Sequence, residues 1–100
     1  MSGMDTIVRE EARLIVLRTL AGESDQRLNS ELLRRALEAF GISRTREWVH
    51  GELRHLEQLG AVTVVSAGTV LVAGLTSRGE DHVARRAVLD GVKRPSAPSL

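Results

Sequence analysis

Cysteine is absent from the sequence, and lysine occurs once, as Lys93. Without cysteine the chain can form no disulfide, no thiolate metal site and no thiol nucleophile. Apart from histidine, the other basic residues are arginines, whose planar guanidinium suits phosphates and guanine edges. A GC-rich genome that favours arginine codons explains this preference more simply, and the formal net charge is only +1. Charge alone therefore does not indicate a nucleic-acid partner.

Long apolar runs are also missing. No stretch approaches the roughly 18 apolar residues that a membrane span needs. The opening "MSGMDTIVREEARL" is acidic and polar, whereas a secretory signal has a basic segment followed by an apolar run. We therefore expect a cytoplasmic protein with no membrane partner. The 100 residues show no internal break in composition, which fits one small domain.

Motifs of catalysis and cofactor binding are not visible. The sequence has no glycine-rich phosphate loop, no nucleophile elbow and no pair of acids in a plausible cleft, so we expect no enzyme activity, no catalytic residues and no cofactor. The histidines His50, His55 and His82 are spaced too irregularly to suggest a zinc site. We expect them to be surface residues and expect no bound metal.

The stretch "DTIVREEARLIVLRTLA", residues 5–21, predicts a first helix with Asp5 or Thr6 as its N-cap. Leu14 and Leu17 fall well outside the face that carries Val8 and its helical neighbours, so the helix is apolar nearly all round. Two interpretations stay open. Either this is a central core helix wrapped by its own chain, or one flank, with Leu14 and Leu17, forms a homodimer interface.

A helix-turn-helix is predicted next. "SELLRRALEAF", residues 30–40, forms the second helix, and Gly41 ends it. Only Ile42 separates that glycine from Ser43, which can cap a third helix over residues 43–59. Two helices joined by so short a turn with a glycine have the layout of a helix-turn-helix. The apolar face of the second helix comprises Leu32, Leu33, Ala36, Leu37 and Phe40.

The third helix has a predicted buried stripe and a predicted exposed face. Val49, Leu53 and Leu56 form the centre of the stripe, and Trp48 lies at its edge, where we expect partial core packing. The opposite face comprises Arg44, Glu47, Gly51, Arg54, His55 and Gln58. An exposed glycine within a helix costs about 1 kcal/mol relative to alanine. Close approach of a DNA strand or a partner would explain Gly51, and so would sequence drift.

The remaining chain predicts a hairpin and a last helix. "AVTVV" and "TVLVAGL" are β-branched runs joined by "SAG", which indicates a tight antiparallel hairpin. Thr76 caps "TSRGEDHVARRAVLD", whose inward side we assign to Val83 and Ala87, and Gly91 ends it. The folded domain is thus predicted to span residues 1–91. Residues 92–100, which include "KRPSAPSL", are expected to form a flexible tail.

The predicted fold is mainly α with a β-hairpin, in the order α-α-α-β-β-α, and it resembles a winged helix-turn-helix domain over almost the whole chain. "LRHLEQLGAV" is similar to the end of the recognition helix entering the wing, and "GLTSRGEDHVAR" to the "LT..G...A" start of the helix after the wing. The C-terminal part of the sequence, from "TSRGEDHVARR" to "GVKRP", resembles the C-terminal ends of small winged-helix proteins of Mu-like prophages.

The resemblance implies a dimeric transcriptional regulator, of prophage origin, that places helix 43–59 in the major groove of double-stranded DNA. Four residues at the start of the helix would lie nearest the DNA backbone: Ser43, Arg44, Thr45 and Arg46. Three would be presented to the bases: Glu47, Gly51 and Arg54. Each also has a structural explanation, since Ser43 can simply cap the helix and the arginines can be solvated.

Two features depart from the DNA-binding pattern. The wing connection, residues 66–69, carries no cation, and on the third helix Glu47, Glu52 and Glu57 offset three arginines. One monomer would then release few counterions, so useful affinity would need a dimer. The alternative is a winged helix that binds no DNA and serves as a protein–protein interaction or assembly module. The uncharged wing and the apolar first helix would then contact the protein partner.

Overall fold

A computed structural model describes residues 3–96 of the chain. Its elements, in chain order, are α1 (Gly3–Ala21), β1 (Arg27–Asn29), α2 (Ser30–Ala39), α3 (Arg46–Gln58), β2 (Val62–Ala67), β3 (Val70–Leu75) and α4 (Ser77–Val83). The strands form an antiparallel sheet in the order β1-β3-β2. The architecture is a winged helix-turn-helix, as predicted. None of these helices combines the length and apolar character that crossing a bilayer requires.

Helix α1 is the central element of the core. Its buried residues are Ala12, Leu14, Ile15, Val16, Leu17 and Leu20. Leu14 is 2 % exposed and Leu17 is fully buried within the chain's own core. The assignment of these two leucines to a dimer interface is therefore wrong, and the interpretation of a central core helix is confirmed. The helix already begins at Gly3, so Asp5 and Thr6 lie inside its first turns and do not cap it.

The helix-turn-helix is present, but its turn is longer than predicted. Asn29 caps α2, because its side chain accepts a hydrogen bond from the Leu32 N–H at 2.9 Å. The helix ends at Ala39, and Gly41 follows with a positive φ of 84°. Thr45, and not Ser43, caps α3, since its hydroxyl oxygen accepts from the Trp48 N–H at 3.1 Å. Residues 43–45 therefore precede α3 in non-helical conformation.

The apolar face of α2 is narrower than predicted. Leu33 and Leu37 are buried, whereas Leu32 is 43 % exposed and Phe40 is 68 % exposed. Phe40 lies just after the last residue of the helix, where the chain turns toward α3. An aromatic side chain therefore faces solvent beside the turn.

The hairpin is confirmed as β2 and β3, and β1 adds a third strand that was not predicted. β1 pairs with β3 through Arg27 and Gly74, Leu28 and Ala73, and Asn29 and Val72. Three residues are too few to show the alternation that reveals a strand. The face of the sheet with Leu71 and Ala73 is buried against the helices, so the face with Val65 and Val72 points outward.

Helix α4 is capped by Thr76 as predicted, but it ends at Val83 instead of continuing to residue 90. Arg85 has a positive φ of 64°, which breaks the helix. Ala87, predicted to point inward, is exposed, and Leu89 is buried in the core instead. The segment after α4, residues 84–95, thus packs against the domain without regular secondary structure, and we call it the strap.

His82 fixes this strap and is fully buried, so its prediction as a surface histidine is wrong. Its Nδ1 accepts a hydrogen bond from the Leu89 N–H at 3.1 Å, and its Nε2 lies 2.9 Å from the carbonyl oxygen of Lys93. Both contacts are satisfied when the neutral ring carries its proton on Nε2. The imidazole therefore joins two points of the strap to α4.

The domain continues past residue 91. Val92 is 5 % exposed, and Pro95 is also buried. The Lys93 N–H donates to the carbonyl oxygen of Glu10 at 3.1 Å, and its ammonium group lies 2.8 Å from the Glu11 carboxylate. The predicted flexible tail is therefore wrong for residues 92–95. The part of that prediction that concerns residues 97–100 lies outside the described residues.

Candidate nucleic-acid interface

Helix α3 turns one side to the core and the other to solvent. Val49, Leu53 and Leu56 are 1 %, 0 % and 0 % exposed, which confirms the predicted buried stripe. The predicted DNA-facing residues are all exposed: Ser43, Arg44, Thr45, Arg46, Glu47, Gly51 and Arg54. Residues 47, 51 and 54 follow the helical spacing that places side chains on one face. The structure thus brings the predicted residues to one continuous surface that begins before α3 and runs two turns along it.

The exposed arginines differ in their partners. Arg54 donates to the Glu57 carboxylate at 3.1 Å, and Arg46 lies 3.9 Å from Glu47. Arg44 donates to the neighbouring carbonyl oxygen of Ser43, at 3.0 Å. Within residues 3–96, no carboxylate lies within ion-pair distance of Arg44. Its positive charge is therefore the least compensated on this surface.

Glu52 does not belong to the exposed surface, although the sequence interpretation counted it against the arginines. It is 4 % exposed and points into the body of the protein. Its carboxylate accepts a hydrogen bond from Arg13 Nε at 2.6 Å and another from Arg9 Nη1. Of the three acids of α3, Glu47 is exposed and Glu57 is half-buried, so the surface is more basic than predicted.

Arg9 and Arg13 connect three parts of the chain around Glu52. Arg9 also donates to Asp5 at 3.0 Å, and Arg13 donates to the Gly91 carbonyl oxygen at 2.7 Å. The hydrogen bond to Asp5, followed by the interaction with Glu52, raises the pKa of the Arg9 guanidinium. The arginines thus hold α3 against α1 and against the strap.

Trp48 lies half-buried between this buried network and the exposed surface. It packs against the core as predicted. The guanidinium carbon of Arg9 lies 5.2 Å from the ring centroid, and that of Arg44 lies 5.4 Å from it. Both distances are within the range of cation–π contacts. The spacing of four residues between Arg44 and Trp48 is visible in the sequence, but nothing local in the sequence indicates Arg9.

The wing tip is uncharged, in agreement with the sequence. Ser66, Ala67, Gly68 and Thr69 are all exposed there. One cation, Arg27, lies on the outward face of the sheet, beside Gly74. It could not be assigned to the wing from the sequence, because β1 was not recognised as a strand.

The other two histidines have no visible metal-binding role. His50 Nε2 lies 2.9 Å from the hydroxyl oxygen of Ser30, which accepts a hydrogen bond from the Leu71 N–H at 3.0 Å. His50 therefore helps to fix α3 against α2 and β3, and His55 is half-buried. In the described part of the chain, no three histidine or carboxylate side chains are grouped so that they could hold a metal ion.

An apolar groove lies between α1 and the end of α2. It has a volume of about 240 Å³ and is lined by Ile7, Val8, Glu11, Ile15, Phe40 and Ile42. Phe40, after α2, is 68 % exposed. Ile7 and Met4, both in α1, are 58 % and 67 % exposed. These side chains, with the groove, form the apolar groove surface.

Comparisons with known proteins agree with the fold. No family model matches the chain. Over 92 residues the chain is 36 % identical to the uncharacterized protein gp26 of Escherichia phage Mu. This match covers 92 % of the present chain and 95 % of the phage protein. Two solved structures share the fold at 21 % identity, the complexes of hsRosR-S1 and hsRosR-S4, with TM-scores of 0.63 and 0.62.

The match to hsRosR-S1 covers 73 % of this chain and 64 % of the other chain, and the match to hsRosR-S4 covers 78 % and 72 %. This chain thus spans less than two thirds of the length of hsRosR-S1. At 21 % identity these two structures support the winged-helix architecture alone. The phage protein is more similar in sequence, and the match covers nearly the full length of both chains. The chain belongs to the family of phage Mu gp26.

Proposed function

We propose that this chain is a DNA-binding protein without enzyme activity, in which α3 enters the major groove of duplex DNA. The observation that carries this proposal is the continuous exposed surface from Ser43 to Arg54, opposite the buried stripe of α3. In a helix-turn-helix the second helix reads base edges with its N-terminal residues. The residues before α3 and on its first two turns have the positions that this role requires.

Each group on this surface has a specific chemical role in the proposal. Ser43, Arg44 and Arg46 contact phosphates, which are also attracted to the positive end of the helix dipole. Arg54 donates to a guanine edge, and Glu47 accepts from a cytosine amino group. Apart from its adjacent residues and its own helix backbone, no atom of residues 3–96 lies within 4 Å of the position that a Cβ of Gly51 would occupy, so a DNA strand has room to approach there.

Affinity and regulation require two copies in this proposal. Even with Glu52 buried, the few exposed arginines of one monomer release few counterions. A homodimer would place two α3 helices on two half-sites, as a transcriptional regulator does. The similarity to a phage Mu protein supports a prophage origin.

The apolar groove surface is the proposed dimer contact, because Leu14 and Leu17 are occupied in the core. Phe40 borders the groove and is largely exposed, so a two-fold axis would place each Phe40 against the partner's groove. Light scattering at micromolar concentration should give a dimer for the parent and a monomer for Phe40→Ser. Val65→Ser, which changes an exposed valine on the wing, should stay dimeric; a monomeric parent would remove the claim.

Two arginine substitutions test DNA binding. Arg44→Ala should weaken binding to all duplexes and reduce the salt slope by about one, because this residue faces the backbone. Arg54→Ala should instead relax the preference at one base pair per half-site, at a cost of about 1 to 3 kcal/mol. Arg86→Ala is the control, since Arg86 lies after α4 and pairs with Asp81 at 3.0 Å. If the parent binds no duplex at low salt, the proposal fails.

A second candidate is supported by the outward face of the sheet. Val65 is 57 % exposed there, next to Val72, and the wing tip carries no charge. Arg27 lies on the same face, but the two valines favour a protein partner over a phosphate backbone. A chain that binds no duplex would therefore be assigned to the class of protein-interaction or assembly modules.

A further inference from the structure

Trp48 is the residue through which the buried ion-pair network reaches the exposed surface. Its ring is contacted by Arg9, which is held by Asp5 and Glu52, and by Arg44, which is exposed. The aromatic ring is thus fixed from the protein side by an anchored arginine. Its contact with Arg44 connects this anchored group to the segment that precedes α3.

We propose that Trp48 is a positioning residue for DNA binding, which holds the Arg44 guanidinium in place for a phosphate of the duplex. This inference rests on the proposed function and deepens it. Trp48 itself does not contact DNA; it affects binding by positioning the Arg44 guanidinium.

The physical reason is the flexibility of arginine. A free arginine side chain carries about 2 kcal/mol of rotamer entropy, part of which is lost when it binds a phosphate. Arg44 lies in the non-helical segment before α3, and no carboxylate of residues 3–96 lies within ion-pair distance of it. The contact with the Trp48 ring, at 5.4 Å from the guanidinium carbon to the centroid, restricts the side chain before DNA arrives. The guanidinium has five N–H donors, and one nitrogen donates to the Ser43 carbonyl oxygen, so other N–H groups stay available for phosphate oxygens.

The charges around Arg44 are consistent with this role. Its one hydrogen bond among the described residues goes to the Ser43 carbonyl oxygen, at 3.0 Å. Arg54 and Arg46, in contrast, each lie within 4.0 Å of a carboxylate. Arg44 is therefore the arginine of this surface whose charge is held in place by an aromatic ring and not by an acid.

Duplex binding by four variants, measured against salt, tests this inference. Trp48→Leu keeps an apolar side chain but removes the ring and should weaken binding about two- to five-fold, the range expected for an exposed cation–π contact. Trp48→Phe retains an aromatic face and should bind within about two-fold of the parent. In an Arg44→Ala background, Trp48→Leu should cause no further loss of duplex affinity, because the Arg44–Trp48 contact that it removes is already absent.

Arg44→Lys provides a test that leaves the core intact. It keeps the charge but removes the planar group, and it should also lose about two- to five-fold in affinity. Trp48 is the only tryptophan, so its emission should differ between the parent and Arg44→Ala without DNA.

The outcomes separate the two proposals. If the parent shows no duplex binding at low salt, the proposed function fails and this inference fails with it. If the parent binds, but Trp48→Leu and Arg44→Lys bind as well as the parent, the inference alone is overturned. It is also overturned if Trp48→Leu weakens binding equally with and without Arg44.

Discussion

Glu52 of α3 and Arg13 of α1 form a buried ion pair, with 2.6 Å between the carboxylate oxygen and Nε. Their side chains are 5 % and 12 % exposed. Arg9 contacts the second oxygen of the same carboxylate, and Arg13 continues to the Gly91 carbonyl oxygen at 2.7 Å. The orientation of α3 relative to α1 therefore depends on a charged contact inside the protein. The opposite side of the same helix carries the candidate DNA surface.

Removing this carboxylate should destabilise the fold. Glu52→Ala leaves Arg13 buried without its partner, and we expect a loss of about 3 kcal/mol in the free energy of unfolding, the low end for broken buried pairs. We take the low end of this range of free energies because the second partner of Glu52, Arg9, is 37 % exposed and can be solvated when the carboxylate is removed. Urea melts would measure the change. Glu47→Ala, which removes an 80 % exposed carboxylate from the same helix, is the control; equal midpoints for both variants would contradict the ion-pair network.

Leu53 is the second test of how α3 is packed. It is fully buried, so Leu53→Ala should cost about 2 to 5 kcal/mol as a large-to-small core change. Leu32→Ala makes the same chemical change at a site that is 43 % exposed, and it should cost much less. Denaturant melts of both variants check the assignment. A Leu53→Ala protein as stable as the parent would mean that the buried face is rotated.

Two glycines should respond in opposite ways to alanine. A Cβ at Gly79 would collide with the Ala61 carbonyl oxygen and would lie 2.7 Å from a methyl carbon of Leu75. Gly79→Ala should therefore destabilise the protein by about 1 to 3 kcal/mol, as overpacking does. Gly51 has open space, so Gly51→Ala should stabilise the helix by about 1 kcal/mol.

Thermal melts of the two glycine variants measure these changes. Duplex titrations of Gly51→Ala add a functional result: the more stable protein should bind DNA more weakly if a strand approaches Gly51. A more stable variant with unchanged affinity would indicate that this glycine has no role in binding.

Glu31 should make stability depend on acid pH. Hydrogen bonds from Arg34, and then from Arg35, lower the pKa of its carboxyl from 4.5 to about 2. Because the folded-state pKa is the lower one, the stabilisation is fully present above about 4.5 and is lost as pH falls toward 2. Glu31→Gln should therefore be less stable than the parent at neutral pH, and the difference should disappear across that window.

Melts of the parent and of Glu31→Gln at several pH values test this effect. Glu23→Gln, which changes an exposed acid outside the arginine cluster, is the matched control. A difference between the parent and Glu31→Gln that is the same at neutral pH and below pH 2 would show that charge does not cause it.

The sequence predicted those features that depend on local patterns. The stripe of Val49, Leu53 and Leu56 and the cap at Thr76 follow from helical spacing and from capping chemistry, and both are confirmed. The hairpin followed from β-branched runs around a short turn. In each case the determining residues lie within one or two turns of one another in the chain.

The features that were missed depend on contacts between distant residues. Glu52 lies three residues after Val49 and four before Leu56, on the core side of α3, and Arg9 and Arg13, about 40 positions away in the chain, supply the partners that allow a carboxylate to be buried there. The burial of His82 and the packing of residues 92–95 likewise depend on contacts that form only in the folded chain. The apolar character of α1 was recognised, but periodicity could not decide whether its own chain or a second copy covers Leu14.

In the candidate surface, too, features set by local patterns were predictable and features set by distant contacts were not. Exposure of Gly51 and Arg54 was predictable from the helix projection, whereas Arg44 is exposed in the non-helical segment before α3. The cation–π contact of Arg9 with Trp48 was not predictable, because α1 and α3 are far apart in the chain. For the same reason the charge balance of α3 was misjudged, since one of its three acids is buried.

The most direct test of whether α3 reads DNA is an NMR titration of isotope-labelled protein with a short random duplex at low salt. If α3 reads DNA, the backbone amide shifts should change most within residues 43–54, and those on the outward face of β2 and β3 should change little. Loss of the changes in moderate salt is expected for phosphate contacts. No shift changes at low salt, or changes confined to the sheet around Val65 and Val72, would show that α3 does not read DNA.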